Sequence, residues 1–206
     1  MKDSAGRRLP EPLRKLLPLG LQALCAASPC ARGELLFRRG KKPTRMLFVV
    51  HGEVVLQRFG RQGESVVLQR TRRGFVGEAS LESPRYHCDA AVTMPSEVVA
   101  IPMDAFKQAL ASDSGFASRW IAMLNQEVKR LRAQCERLSM RGVKERLLHL
   151  LETEGREGRL PLGSGLKSMA SELGVTHEAL YRAVAELEKN GVLRRQENFL
   201  IVTRVA

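Results

Sequence analysis

The chain is poor in aromatic residues, in acidic residues and in long apolar runs. Aromatics are 5% of its 206 residues, with Trp120 the single tryptophan, so aliphatic side chains must fill most of any core. Nothing approaches the ~18 successive apolar residues that a membrane-spanning helix needs, which excludes a membrane partner of that kind. The nearest candidate, Leu16 to Cys25 behind Arg14 and Lys15, is broken by Pro18 and Gln22 and reads as a short surface helix rather than an export signal. Four cysteines, Cys25, Cys30, Cys88 and Cys135, are too few for a disulfide scaffold of this size and point to the reducing cytoplasm. Acidic residues number 22 against 34 basic ones, a formal net charge of +12. A chain this basic usually meets a polyanion, most often nucleic acid.

Three textures follow one another. From Gly33 to about Pro102, short β-type runs (Leu35–Phe37, Met46–Val50, Val54–Leu56, Val66–Leu68, Val98–Ile101) alternate with glycines at 40, 52, 60, 63, 74 and 77. Strands at this spacing, with no crossover helix between them, predict a compact antiparallel barrel or roll. From Phe116 to Leu138 the apolar period becomes helical. Ile121, Leu124, Val128, Leu131, Cys135 and Leu138 are spaced 3, 4, 3, 4, 3, the seam of a helix that pairs with one partner helix. Self-dimerisation through that seam is the expectation. Gly142 then interrupts the run and marks a hinge.

The third texture is short helices and turns. Leu166, Met169, Ala170 and Leu173 make one amphipathic helix, Gly174 is placed to end it, and Thr176 is placed to cap a second. In that second helix Leu180, Ala183, Val184 and Leu187 form a buried stripe, which turns His177, Glu178, Tyr181, Arg182 and Ala185 outward. Two β runs, Val192–Arg195 and Phe199–Val202, follow around Glu197 and Asn198. Helix, tight turn, helix and hairpin make a winged helix-turn-helix. Its second helix fits the DNA major groove, where arginine suits guanine O6 and N7 and a carboxylate accepts from cytosine N4. The candidate DNA-binding residues are Thr176, His177, Glu178, Tyr181 and Arg182. The predicted fold is α+β: an antiparallel β-roll in residues 1–111, a coiled-coil dimerisation helix and hinge in 112–141, and a winged-helix DNA-binding domain in 142–206.

The order of glycine-rich roll, long helix and winged helix, with Gly77-Glu78-Ala79-Ser80-Leu81 in the roll and Thr176-His177-Glu178…Arg182 in the second helix, resembles the CRP/FNR family of bacterial transcription regulators. The resemblance implies a homodimer on a palindromic site of double-stranded DNA, with RNA polymerase as a further partner if the protein activates. It implies a cyclic-nucleotide-binding-like roll whose effector repositions the two recognition helices, and it places Glu178 and Arg182 on base-reading positions.

By the same resemblance the effector pocket comprises Gly77, Glu78, Ala79, Ser80, Cys88, Asp89 and Ala90. Cyclic-nucleotide-binding members carry Arg-Ser or Arg-Thr next to alanine here, gripping the cyclic phosphate. This chain reads His87-Cys88-Asp89-Ala90, and an aspartate repels the phosphate that a cation would hold. The effector is therefore expected not to be cyclic AMP, leaving a thiol or redox signal, haem or another small molecule. The alternative is a cyclic-nucleotide-responsive regulator with an atypical cassette, in which Arg85 supplies the cation. Cys25-x4-Cys30 lacks the third N-terminal cysteine of the iron–sulfur members, so no cofactor is assigned and no metal site is expected. No nucleophile–base pair or phosphate loop argues for catalysis. A cupin-like metalloenzyme would need a histidine pair in the barrel, and the roll has only His51 and His87. Basic residues outnumber acidic ones 18 to 10 in residues 1–110 and 16 to 12 in 111–206. The clusters Lys41-Lys42 and Arg70 to Arg73 thus read as solvated faces, or as contacts to the phosphates of a bent DNA site.

Overall fold

The computed structural model describes residues 9–60, 65–162 and 165–203. The chain divides into two compact units, Met1–Ile121 and Ala122–Ala206. The first opens with two short helices, α1 (Glu11–Leu16) and α2 (Leu19–Gln22), which bury Leu13 and Leu21. Pro18 disfavours helical geometry at Leu17, which is extended at φ −82°, ψ 141°, so one surface helix becomes two.

Six strands follow: β1 (Ala26–Cys30), β2 (Leu35–Phe37), β3 (Arg45–Phe59), β4 (Ser65–Thr71), β5 (Gly74–Val76) and β6 (Asp89–Pro102). All pair antiparallel. β3 and β6 run side by side along most of their length; β1 and β2 add to β6, β4 and β5 to β3. The sequence reading divided β3 at Gly52, but the 15-residue strand is continuous there. Gly52 has φ +91° at a register shift, and a Cβ on it would meet Pro95 O at 2.5 Å. The glycine therefore serves a bulge that bends the strand, not a turn that ends it. β1, not foreseen, carries Pro29 and pairs only with β6, the edge position where a strand tolerates proline.

Inside the roll Leu47, Val49, Val54 and Leu56 pack with Val76, Cys88, Ala90, Val92 and Val98. The scarce aromatics are concentrated on the other side. Phe48 meets Phe75 edge-on, Phe75 meets Trp120, Trp120 meets Phe106 and Phe106 meets Phe116, with centroids 4.8–5.3 Å apart. This chain of rings fastens α3 (Met103–Ser112) and the start of α4 (Ser114–Ser139) to the sheet.

The second unit contains the remainder of α4, then α5 (Val143–Glu154), β7 (Arg159–Pro161), α6 (Leu166–Leu173), α7 (His177–Lys189), β8 (Leu193–Gln196) and β9 (Phe199–Val202). β7, also unforeseen, completes a three-stranded antiparallel sheet in the order β7-β9-β8. An eight-residue helix is too short to hold itself together in water, so α6 depends on burying Leu166, Met169, Ala170 and Leu173 against Leu147, Leu150, Leu180 and Val184.

Candidate nucleic-acid interface and effector roll

α6 ends where glycine permits: Gly174 sits at φ 64°, ψ 38°, the left-handed cap conformation. Val175 then packs on the core, and Thr176 Oγ1 accepts from the Ala179 N–H at 3.2 Å, capping α7. With Leu180, Ala183, Val184 and Leu187 buried, Thr176, Glu178, Tyr181 and Arg182 are exposed and His177 is half-buried. The His177 and Tyr181 rings meet edge-on with centroids 4.3 Å apart. Hydrogen bonds from its own backbone N–H and from Thr176 hold the Glu178 carboxyl below the ordinary glutamate value, so it is an ionised acceptor at neutral pH. The hairpin β8–β9 is tied to α7 by Arg195, whose Nε and Nη2 donate to Glu188 at 2.9 and 2.7 Å. The five residues proposed to meet DNA therefore lie on the first turn and a half of one capped helix.

Along α4 the seam residues are exposed in a single chain: Ile121 57%, Val128 44%, Leu131 40% and Leu138 44%, with Cys135 exposed and Leu124 half-buried. The end of this helix is held by residues that sequence reasoning missed. Arg146, on α5, donates from Nε to Met140 O at 2.8 Å, from Nη2 to Leu138 O at 3.2 Å and from Nη1 to Leu173 O at 2.9 Å. One guanidinium thus serves the ends of both α4 and α6.

In the roll, Gly77 (φ +96°) turns the chain into a 3₁₀ turn, Glu78–Ser80, in which Ser80 is buried and Ala79 exposed. Cys88 and Ala90 are buried on the interior wall and His87 is half-buried. Asp89 is engaged within the protein: its Oδ1 accepts from the Arg39 N–H at 2.7 Å. Arg85, the expected source of a cation, donates to Gly40 O at 2.8 Å. The cation acting on the Cys88 thiol is Arg58, whose Nε donates to His87 O at 2.8 Å. Burial pushes the Cys25 thiol up to about 11 and raises Cys30 and Cys88 as well, so these thiols stay protonated. No cluster of three metal-ligating side chains forms among the described residues.

The cluster Arg70 to Arg73 is not a plain solvated face. Arg70 and Arg72 each lie 3.1 Å from the buried Glu53 carboxylate, which also accepts from Thr93 Oγ1 at 2.7 Å. The only early signal was a lone carboxylate in an apolar strand with an Arg-x-Arg downstream.

Residues 29–113 match the cyclic nucleotide-binding domain family. Among solved structures, a protein from Silicibacter pomeroyi DSS-3 proposed to be a cAMP-binding regulator is 26% identical, with 93% of this chain and 90% of that one covered and a TM-score of 0.63. FixK2 from Bradyrhizobium japonicum is 18% identical, covering 87% and 93%, TM-score 0.68. DNR from Pseudomonas aeruginosa is 20% identical, covering 93% and 89%, TM-score 0.52. The last two speak to the fold. No curated protein matches the chain. Among the described residues no helix is long and apolar enough to cross a membrane. With residues 29–113 matching the cyclic nucleotide-binding domain family, the chain as a whole has the fold of the CRP/FNR regulators that its sequence resembles.

Proposed function

We propose that the protein is a DNA-binding transcription regulator that acts as a homodimer on a palindromic site. The observation that carries this is the exposed first turn of α7, where Glu178 and Arg182 stand one turn apart on a helix capped by Thr176 and backed by a buried stripe. Glu178 and Arg182 read base edges, Thr176 and His177 position the helix on phosphate and groove wall, and Tyr181 braces His177. The apolar seam of α4 pairs with its copy, setting half-sites about one helical turn, ~34 Å, apart. RNA polymerase is a partner if the protein activates. The roll is a sensory domain, without catalysis, for a small-molecule effector other than cyclic AMP: the two cassette positions where a phosphate grip is expected hold a buried thiol and an aspartate that already has a partner.

A second reading is supported by Arg58 beside Cys88 and by the family match over residues 29–113: a cyclic-nucleotide-responsive regulator whose phosphate is held from β3. Selection of random duplexes by the purified protein, with and without cyclic AMP, tests both. Palindromic sites enriched equally in either condition support the first reading. Enrichment that needs cyclic AMP and is lost in Arg58→Ala supports the second. Failure to enrich any palindrome removes the DNA-binding conclusion.

A further inference from the structure

The loop from β2 to β3 and the first residue of β3 place four cations, Arg38, Lys41, Lys42 and Arg45, around a cavity of about 400 Å³. That volume suits a small molecule. Its inner wall is apolar, with Leu47, Val98 and Ala100, and one side is the stacked pair Phe37–Tyr86, ring centroids 3.8 Å apart and planes within 6°. None of the four cations forms an ion pair with a described residue. The single carboxylate on the wall, Glu34, is occupied in accepting from the Ala31 N–H at 3.0 Å.

The basic loop is held in position. Gly40 N–H donates to Tyr86 O at 2.8 Å and Tyr86 N–H to Lys41 O at 2.9 Å. Arg85 and Asp89 add their bonds to Gly40 and Arg39, so the cassette segment supports the loop that carries the cations of the neighbouring cavity. The backbone that carries these exposed cations is thus fixed before binding, and the freedom lost is that of the side chains.

We propose that this cavity binds a small organic phosphate, the phosphate lying among Arg38, Lys41, Lys42 and Arg45 and its apolar body against the Phe37–Tyr86 stack. Four cations facing one engaged carboxylate match a dianion better than a single carboxylate group, and guanidinium with ammonium is the donor set phosphate favours. The apolar inner wall asks for a hydrocarbon or ring attached to it. The stack also borders the cassette: a Cβ at Gly77 would lie 3.6 Å from Phe37 and 3.8 Å from Tyr86. A ligand pressing on the rings therefore acts on the residue that starts the Gly77–Ser80 turn.

The test is calorimetric titration of the full chain with phenyl phosphate, with phenol as the uncharged control. Phenyl phosphate is expected to bind once per chain and phenol not to bind. The charge reversal Lys41→Glu/Lys42→Glu should weaken phenyl phosphate at least about tenfold, the loss expected for one charged hydrogen bond, whereas Lys41→Arg/Lys42→Arg keeps it. Lys189→Glu, a charge reversal at an exposed position at the end of α7, should leave the affinity unchanged. An unchanged thermal midpoint shows that each variant is folded. No binding of phenyl phosphate, equal binding by the Lys41→Glu/Lys42→Glu variant, or an equal loss of binding in Lys189→Glu would each overturn the proposal. Should charge reversal weaken only DNA binding while phenyl phosphate fails to bind, the patch serves DNA phosphates and the cavity site is refuted. The titration needs no DNA, so its outcome is separate from that of duplex selection.

Discussion

Arg137 and Glu154 form an ion pair of 2.6 Å in which the arginine side chain is only 1% exposed. Arg137 Nη1 also donates to Thr153 Oγ1 at 3.1 Å, joining α4 to α5. Removing one member strands a buried charge, whereas removing both does not. Glu154→Ala should cost about 3 kcal/mol in urea unfolding. Arg137→Met/Glu154→Leu should recover most of that. A double variant as unstable as the single one would contradict this account.

Glu53 couples protonation to stability. Burial alone would raise its carboxyl, but the Thr93 hydroxyl, Arg72 and Arg70 more than offset it and hold it below the ordinary 4.5. A depressed folded value means that stability is fully present above 4.5 and is lost as pH falls through the lower, folded value. Thermal midpoints should thus fall more steeply below pH 4.5 in the wild type than in Glu53→Gln, which starts lower and changes less. Parallel curves would remove Glu53 from the acid response.

On a selected DNA site, Arg182→Ala should lose about 1–3 kcal/mol of discrimination, ~5–150-fold, at one base pair per half-site. Binding to unrelated DNA should change little, since that depends on phosphate contacts. Fluorescence anisotropy on matched and singly mismatched duplexes reads the difference. A uniform loss across sequences would make Arg182 a phosphate contact.

The seam on α4 gives a third kind of outcome. Leu131 is 40% exposed in one chain, and an aspartate there would face its copy across a paired seam. Leu131→Asp should sediment as a monomer while wild type sediments as a dimer, and it should bind half-sites without cooperativity. A dimeric Leu131→Asp would move the interface elsewhere.

The helix-turn-helix was legible because its rules are local. The period of Leu166, Met169, Ala170 and Leu173, the left-handed freedom of Gly174 and the hydroxyl of Thr176 all act within a few residues, and the structure has each in the expected place. The roll was legible only as a class. Gly52 looked like a turn because its reason, the close approach of Pro95 and Ser96, lies more than forty positions away. The same distance hid the chemistry of the basic residues. Arg70 and Arg72 are committed to Glu53, while Lys41 and Lys42 ring a cavity whose walls are drawn from four strands. Charge runs show that cations are present; only the fold shows which of them are already engaged.

The shared guanidinium of Arg146 has a mechanical corollary. The last carbonyls of a helix carry the negative end of its dipole, and here two helices surrender those ends to one cation. A screw motion of α4 by even a fraction of a turn would strip Leu138 of its counter-charge unless α6 followed. The turn at Gly174, and with it the azimuth of α7, is therefore geared to the pitch of the long helix through that guanidinium, beside the Arg137–Glu154 pair that ties α4 to α5.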